Sequence, residues 1–313
     1  MKILHKPRQF NSIKIAKGKV EKSSINSEKI AQEYNWYKRV PLLMCKYIPE
    51  VYQELYDGPT SRYFMQHIKD ENVATAYLSG KWELNEWEAF FNAINEYLLE
   101  SKLFKTNFYS SSFIDIYSSK TKERLLLLSN SSRYWQELLS AEKININDET
   151  YHNFSYFEEQ VNKDIVEKLI NPENIAFLHG DLCLSNIFFN TEEERLTVID
   201  PRGKWGDYDI YGDINYDLAK LSHSILYGYE FITNDKFNLS EENVFEFSMS
   251  LPFREYHKNV QEIFLRSLIN NRWEINLITA LLFLSMIPLH NEDIKRQKAM
   301  YLTSILILNK LYE

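Results

Sequence analysis

One short segment constrains this chain more than any other part of its sequence. Residues 179–186 read HGDLCLSN, which places Asp181 five positions before Asn186. A second aspartate, Asp200, follows fourteen positions after Asn186. Two carboxylates and an amide at this spacing restrict the chain to folds in which a loop meets the end of a later strand.

Apolar runs on both sides of this segment indicate its local structure. Residues 174–178 (NIAFL) lead into it, residues 187–189 (IFF) follow it, and residues 196–199 (LTVI) end at Asp200. Short apolar runs bounded by polar turns are typical of strands. We therefore predict that Asn186 lies where one strand begins and Asp200 where the next one ends, so that both side chains reach one side of a cleft.

The residue types in this pattern suit phosphoryl transfer. One carboxylate can orient or deprotonate an attacking hydroxyl group, while an amide oxygen and a second carboxylate can hold the magnesium ions that neutralise a triphosphate. The spacing H-x-D-x-x-x-x-N is that of the catalytic loop of kinases. An ordinary hairpin with incidental polar residues is the alternative, and the strand-like flanks favour the first interpretation.

The same segment carries a family resemblance. The sequence FLHGDLCLSNIFF…LTVIDPRG resembles the aminoglycoside phosphotransferase and choline kinase-like group of small-molecule kinases, which share the protein-kinase-like fold. Residues 212–221 (GDINYDLAKL) are similar to the family's GD…YDLA segment. The resemblance implies that Asp181 is the catalytic base, that Asn186 and Asp200 are magnesium ligands, and that Asp217 is a buried residue bracing the catalytic loop.

The resemblance also implies a fold and its division into lobes. We expect an α+β, bilobal, protein-kinase-like fold with a small β-rich N-terminal lobe and a larger, mainly helical C-terminal lobe. The predicted boundary lies at about residue 69, so that 1–69 is the nucleotide-binding lobe and 70–313 carries the catalytic loop and the acceptor site. Gln66, His67 and Ile68 form the predicted hinge, whose backbone N–H and C=O groups would bind adenine.

Periodicity gives a coarse secondary structure for both lobes. The N-terminal lobe is predicted to contain strands at 12–16, 20–22, 51–55 and 62–65, a turn at Asp57-Gly58-Pro59, and a helix at 28–39 that Pro41 ends. Apolar residues at helical spacing predict helices at 84–98 and 154–169. Further helices are predicted at about 214–228, 254–270, 272–287 and 292–312.

Two charged residues of the N-terminal lobe are assigned to the phosphates of the nucleotide. A kinase needs a strand lysine that reaches the phosphates and a glutamate on the next helix that holds this lysine. Lys22 and Glu33 are our candidates. The rival residues are Lys14, Lys19 and Glu28, and solvated surface residues are an equal alternative. The G-x-G-x-x-G phosphate loop is absent, since Gly18 is the only glycine before Gly58.

The loop after Asp200 is the candidate acceptor site. Asp200 and the residues after it, 201–213 (PRGKWGDYDIYGD), together combine four aspartates with aromatic residues, which would suit a cationic or hydroxyl-rich substrate. A solvated acidic loop with aromatic anchors is the alternative. Arg202 could contact the transferred phosphate or pair with a carboxylate. The candidate acceptor-site residues are Arg202, Trp205, Asp207 and Trp273, with Glu274 and His290 as further possibilities from family architecture.

Composition excludes several other classes of protein. A net charge of −8 without a long basic stripe disfavours nucleic-acid binding. Cys45 and Cys183 are the only cysteines, so neither a disulfide framework nor a zinc site is expected, and Cys183 is predicted to fill space. The N-terminus lacks the apolar run of a secretion signal, and the apolar stretch 277–289 is too short for a membrane span. A cytoplasmic location is the expectation.

Together these features predict an enzyme that uses ATP and Mg²⁺. It would transfer the γ-phosphoryl group to a hydroxyl of a small molecule such as choline, a sugar or an aminoglycoside. A protein kinase is disfavoured, because Gly180 stands where that class has an arginine after the catalytic-loop histidine, and no A-P-E element follows Asp200. The alternative from another class is a catalytically silent, kinase-like nucleotide-binding module, which only the missing glycine loop supports.

Overall fold

The computed structural model describes residues 11–57, 60–268 and 272–313. It confirms the predicted α+β class, with an antiparallel sheet in the N-terminal part and a mainly helical C-terminal part. Gly58 and Pro59 of the predicted turn lie outside the described residues.

The N-terminal lobe is built on one four-stranded antiparallel sheet. Its strands are β1 (Asn11–Ala16), β2 (Lys19–Ser24), β3 (Val51–Asp57) and β4 (Thr60–Gln66), and their order is β1-β2-β4-β3. The β1–β2 turn uses Lys17 and Gly18 with φ of 50° and 74°, a left-handed backbone that glycine adopts readily. Central strand β2 alternates in burial, so that Val20, Lys22 and Ser24 all face inward.

One helix, α1 (Ser27–Arg39), crosses the inner side of this sheet. The Asn26 side chain caps it by accepting a hydrogen bond from the backbone N–H of Lys29 at 3.1 Å. Its buried face consists of Ile30, Glu33, Trp36 and Tyr37. An acidic side chain on an otherwise apolar buried face requires a cationic partner, and Lys22 on β2 supplies one. A 3₁₀ turn, Leu42–Tyr47, leads from α1 to β3.

The C-terminal lobe is mainly helical. Its helices are α2 (Val73–Ser79), α3 (Leu84–Ser101), α4 (Ser110–Phe113), α5 (Lys120–Ser131), α6 (Arg133–Ser140), α7 (Phe154–Asp164), α8 (Ile214–Ile225), α9 (Tyr229–Thr233), α10 (Glu255–Leu268), α11 (Arg272–Met286) and α12 (Ile294–Tyr312). Irregular turns at Ile114–Ser119 and Ile165–Leu169 (π), and at Pro172–Asn174, Leu184–Asn186 and Ile287–His290 (3₁₀), join or extend them. The predicted helices at 84–98, 154–169 and beyond 214 are confirmed to within a few residues.

The centre of this lobe is an apolar helix, α11. It packs mainly against α8, α12 and α5. The segment Arg272–His290 is long and apolar enough to cross a membrane, but 72% of its most apolar window is buried inside the protein. Such burial is expected of a core helix, so α11 belongs to the core of this lobe.

Five further short strands belong to the region around the HGDLCLSN segment and Asp200. They are β5 (Glu71–Asn72), β8 (Ile175–Phe177), β9 (Ile187–Asn190), β10 (Arg195–Val198) and β11 (Tyr211–Asp213). They form a three-stranded sheet, β10-β9-β5, and a two-stranded sheet, β11-β8. The three strands predicted around HGDLCLSN are therefore confirmed as β8, β9 and β10.

A second four-stranded sheet was not predicted from the sequence. Its strands are β6 (Lys143–Ile146), β7 (Glu149–His152), β12 (Asn238–Asn243) and β13 (Glu246–Ser250), in the order β12-β13-β6-β7. Strands β13 and β6 pair in parallel and join two distant parts of the chain. Strand β12 reads NLSEEN and is mostly exposed, so no apolar alternation announces it.

Candidate active site

The loop between β8 and β9 is held in place by one buried carboxylate. The Asp217 side chain, on α8, accepts hydrogen bonds from the backbone N–H groups of His179 (2.9 Å) and Gly180 (2.8 Å). Gly180 has a φ of 76°, which directs its N–H toward α8. Burial raises the pKa of Asp217 to about 7, while the two N–H donors oppose that shift. Asp217 therefore braces the catalytic loop, as the resemblance implied.

His179 is a neutral structural group in this loop. Its Nδ1 accepts a hydrogen bond from the backbone N–H of Asp181 at 3.2 Å. Its Nε2 must therefore carry the proton and donate to the carbonyl oxygen of Ile199 at 2.9 Å. Burial lowers the pKa of His179 to about 4, so the ring links the loop to β10 without carrying charge.

The three residues predicted from the spacing lie together. The Asn186 Nδ2 donates to the carbonyl oxygen (2.9 Å) and to the carboxylate Oδ2 (3.1 Å) of Asp181. The backbone carbonyl of Asn186 accepts from the N–H of Ile199 at 2.9 Å, which fixes the residue before Asp200. Asp200 itself has a φ of 58°, an uncommon backbone state for a residue with a side chain.

A buried ion-pair network joins the two lobes at Asp200. Lys22 Nζ lies 2.6 Å from Glu33 Oε2 and 3.0 Å from Asp200 Oδ1. The Lys22 and Glu33 side chains are 3% and 2% exposed, whereas Asp200 is 30% exposed. Burial acts to lower the pKa of Lys22, but the charges of Asp200 and Glu33 outweigh it and hold that pKa above its ordinary value.

The rival residues occupy other positions. Lys14 and Lys19 are exposed on the sheet, and Lys19 Nζ lies over the Tyr52 ring at 4.3 Å from its centroid. Glu28 is exposed and accepts a hydrogen bond from Gln32 on its own helix. Side chains alternate between the two faces of a strand, so Lys22 lies on the buried inner face of β2 while Lys19 lies on the exposed outer face.

Helix α1 makes further contacts with the catalytic loop. The indole N–H of Trp36 donates to the Leu178 carbonyl at 2.8 Å. The Tyr37 hydroxyl accepts from the backbone N–H of Asp200 at 3.1 Å. These bonds place α1, and therefore Glu33, at a fixed distance from Asp200.

The predicted hinge residues follow the end of β4. The N–H of Gln66 donates to the Glu50 carbonyl at 2.8 Å, and the N–H of His67 donates to the Gly18 carbonyl at 3.0 Å. Of the three N–H groups, the one at Ile68 takes no part in these pairings. The assignment of Gln66, His67 and Ile68 to adenine binding stays a prediction.

Asn186 and Asp200 have the chemistry of magnesium ligands. Asn186 uses its amide nitrogen on Asp181, which leaves its amide oxygen for another partner. Asp200 contributes a partly exposed carboxylate. In the described part of the chain, no three His, Cys, Asp or Glu side chains form a metal site of their own. Magnesium often takes one or two carboxylates and completes its shell with phosphate and water, so this pair fits.

Of the candidate acceptor residues, Arg202 lies against the catalytic loop and Asp207 lies against α4. Arg202 packs over Gly180, where a Cβ would lie 2.7 Å from the Arg202 Cβ, and its Nε donates to the Lys204 carbonyl at 2.8 Å. The carboxylate of Asp207 accepts from the hydroxyl groups of Ser111 (3.2 Å) and Ser112 (3.3 Å). Asp207 is exposed at the start of α4, so it remains accessible to a ligand.

The two candidate tryptophans have packing roles. Trp205 is 1% exposed and its ring packs among Phe113, Tyr117, Tyr208 and Tyr216. Trp273 lies against α12, and the Lys168 ammonium sits 4.0 Å from its ring centroid. Both rings pack against other side chains of the C-terminal lobe, and aromatic composition alone does not distinguish a pocket wall from a packed interface. Glu274 accepts from Asn215, and His290 contacts Glu292.

One residue next to Asp181 was missed from the sequence. Lys220 is buried on α8, and its Nζ lies 2.9 Å from Asp181 Oδ1. A signal was present, since Lys220 is three residues after Asp217 and therefore shares its helix face. Cys183, by contrast, behaves as predicted: it is buried, and burial raises the pKa of its thiol.

Solved structures share this architecture. A thermostable mutant of aminoglycoside phosphotransferase APH(4)-Ia in its apo form matches with a TM-score of 0.60 at 10% identity, over 98% of this chain and 93% of that chain. A ternary complex of a variant of the same enzyme with ADP and hygromycin B gives 0.56 at 9% identity, over 96% and 93%. A protein of Haemophilus somnus 129PT, provisionally named a fructosamine-3-kinase, gives 0.53 at 12% identity, over 95% and 92%.

The sequence comparisons are negative: no family model and no curated protein matches this chain. At about a tenth of positions identical, the structural matches establish the fold and not the chemistry. The chain has the bilobal kinase-like fold of these phosphotransferases.

Proposed function

We propose that this protein is an ATP-dependent kinase that phosphorylates a hydroxyl group of a small molecule. The observation that carries the proposal is the convergence of Asp181, Asn186, Asp200 and Lys22 at the junction of the lobes, within a chain of hydrogen bonds and ion pairs. A scaffold without chemistry has no need to bring two carboxylates, an amide and a buried lysine to one place.

Each residue has a role that its surroundings support. Asp181 orients the acceptor hydroxyl and takes its proton as the oxygen attacks the γ-phosphorus and the bond to the β,γ-bridging oxygen breaks, releasing ADP. Lys22, held by Glu33, would bind the phosphates of ATP. Gln66, His67 and Ile68 would receive adenine. Catalysis of this kind comes mainly from positioning and from electrostatic stabilisation.

Asn186 and Asp200 would hold Mg²⁺. The ion, when bound, supplies positive charge that screens the phosphate oxygens. The chain's own part is to present one amide oxygen and one carboxylate on facing sides of a short hairpin, which β9 and β10 do through the Asn186–Ile199 backbone bond.

The acceptor is a small molecule with a hydroxyl group. Choline-like amino alcohols, sugars and aminoglycosides are the candidate classes, because the chain is similar in fold to a hygromycin B-bound phosphotransferase and to a protein named for fructosamine phosphorylation. ATP and magnesium are supplied by the cytoplasm, which is therefore the proposed location.

Two substitutions test this proposal. Asp181→Asn is expected to leave Mg-ATP binding near normal and to lower acceptor-dependent ADP release by at least about a hundredfold, the usual contribution of a positioned base. Asp200→Ala is expected to abolish the magnesium-dependent part of ATP binding, measured by calorimetry. Unchanged turnover in the first variant or unchanged magnesium dependence in the second would refute the assigned roles.

A catalytically silent nucleotide-binding module is the second candidate, favoured only by the missing glycine-rich loop. The two candidates differ in one measurement. A thermal shift with Mg-ATP is expected for both, whereas ADP release stimulated by an acceptor screen across amino alcohols, sugars and aminoglycosides is expected for the kinase alone.

A further inference from the structure

Four cationic side chains lie around Tyr216 and reach Asp181 through Lys220, and of these only Arg202 was a candidate acceptor residue. They are Lys120 and Arg124 on α5, Arg202 after β10, and Lys220 on α8. We call them the cationic cluster. Their position is unexpected in a chain whose net charge is −8. The inference drawn from them rests on the proposed function, since it assigns a substrate class to the same site.

Helix geometry brings the cluster together. Lys120 and Arg124 are one turn apart on α5, and Tyr216 and Lys220 are one turn apart on α8. The Tyr216 ring lies between the two helices, with Lys120 Nζ and Arg202 Cζ each 5.8 Å from its centroid. Arg202 Nη1 also donates to the Tyr216 hydroxyl at 3.3 Å. The π turn at Ile114–Ser119 leads directly into Lys120, and such turns are frequent at functional sites.

The positive charge of the cluster is only partly compensated. Lys220 pairs with Asp181 at 2.9 Å. The charge of Asp181 also acts on Lys120, and the charge of Glu123 acts on Arg124, so two carboxylates act on the four cations. Glu123, the sequence neighbour of Arg124, is exposed. Like charges one helical turn apart repel, so Lys120 and Arg124 oppose folding unless an anion is bound between them.

The electrostatics of Lys120 agree with this geometry. Burial lowers the pKa of Lys120 well below its ordinary value, and the charges of Arg202, Lys220 and Arg124 lower it further. Its side chain is half-buried, so an incoming anion would be only partly screened by water. A bound anion beside Lys120 would offset both the burial of its charge and the repulsion from its cationic neighbours.

The cluster lies on the acceptor side of Asp181. The two carboxylate oxygens of Asp181 have different partners: Oδ2 accepts from Asn186, and Oδ1 pairs with Lys220. The charges that act on Lys22 come from Asp200 and Glu33, whereas those that act on Lys120 come from the rest of the cluster and from Asp181. We therefore assign Lys22 to the nucleotide phosphates and the cluster to the acceptor.

We propose that the acceptor of this kinase carries an anionic oxygen group, either a carboxylate or a phosphate, which Lys120, Arg124 and Arg202 bind while its hydroxyl meets Asp181. Arginine forks match the oxygens of both groups, and lysine adds a point charge. Cationic acceptors such as choline or an aminoglycoside would meet like charge at this place. The proposal thus separates this chain from the cationic ligand of the solved hygromycin B complex.

Binding is tested on the whole protein saturated with Mg-AMP-PNP. Inorganic phosphate and glucuronate are titrated separately by calorimetry. Lys120→Gln is expected to weaken binding of each by about tenfold or more, because hydrogen bonds to charged groups are the strong ones. Lys122→Gln is the control, since Lys122 is exposed on the same helix and loses the same charge. No binding of either anion, or equal affinities in the two variants, overturns the proposal.

Substrate choice is tested with glucose, glucuronate and glucose 6-phosphate, which share a sugar and differ in charge, and with choline and kanamycin as cations. Higher kcat/KM for glucuronate or for glucose 6-phosphate than for glucose supports the proposal and tells the carboxylate from the phosphate. Preference for choline or kanamycin overturns it while leaving the kinase assignment intact. Failure to bind Mg-ATP at all would instead refute the proposed function.

Discussion

Removing one charge from the Lys22–Glu33–Asp200 network is the sharpest test of how much this buried ion-pair network stabilises the fold. In Glu33→Gln the side chain keeps its size and one acceptor oxygen but loses its charge. Lys22, 3% exposed, then keeps only Asp200 as a charged partner, at 3.0 Å. We expect a loss of stability because the buried Lys22 ammonium then has one charged partner instead of two.

The magnitude follows from burial. Breaking a buried ion pair by removing one partner costs about 3–5 kcal/mol. Because Asp200 remains and the amide still accepts a hydrogen bond, we expect the low end, about 3 kcal/mol. The Lys29 contact with Glu33, at 3.8 Å, adds little because Lys29 is 43% exposed.

Urea unfolding followed by circular dichroism measures this difference at pH 7. Glu28→Gln is the matched control, since it makes the same change on the same helix at an exposed position. It is expected to change the free energy of unfolding by less than about 0.5 kcal/mol. Equal midpoints for the two variants would show that the buried Lys22–Glu33 pair does not stabilise the fold in solution, and the reasoning would fail.

Three further changes probe the catalytic loop. Asp217→Asn at pH 8 is expected to cost about 3 kcal/mol in urea unfolding, because one of two backbone N–H groups loses its acceptor. His179, whose folded pKa is about 4, contributes stability that is complete above pH 6.5 and is lost as the pH falls through 4. That contribution is about 3 kcal/mol, measured by denaturation from pH 8 down to pH 4. Gly203→Ala places a Cβ 2.6 Å from the Gln32 backbone, at a φ of +79°, and is expected to lower the Tm strongly. Gly18→Ala is the control: its φ is similar, +74°, but the new Cβ meets open space, so the cost is only about 1 kcal/mol.

Each of these has an outcome that contradicts it. A loss below about 1 kcal/mol for Asp217→Asn would mean that the loop does not depend on that carboxylate. Titration of His179 near its ordinary pKa, read from its NMR shift, would show an exposed ring. Equal Tm values for the two glycine variants would exclude close packing of Gly203 on α1.

The parts of the site that could be predicted are those carried by a local pattern. Asp181, Asn186 and Asp200 lie within one strand–loop–strand–turn–strand unit, so spacing along the chain fixes their spacing in space. Lys22 and Glu33 were harder to select, since Lys19 and Glu28 have the same residue types nearby. Strand alternation and the inner face of α1 decide between them.

What could not be predicted depends on distant contacts. Lys120 and Arg124 belong to α5, which no motif marks, and only the packing of α5 near Tyr216 brings Lys120 close to the candidate site. Trp205 was chosen for its aromatic character, which packed interfaces share with ligand pockets, and Trp273 was chosen from family architecture alone. The second four-stranded sheet was missed because strands such as β12 lack an apolar alternation.

That second sheet has a consequence for how the chain acquires its shape. Glu246 and Asn145, which pair between β13 and β6, are roughly a hundred residues apart along the chain, so closing this loop carries a large entropy cost. Parallel pairing over such a separation is slow compared with helix formation. We therefore expect β6 and β13 to join late, after the intervening helices have assembled. Hydrogen-exchange labelling during refolding would show protection there last of all.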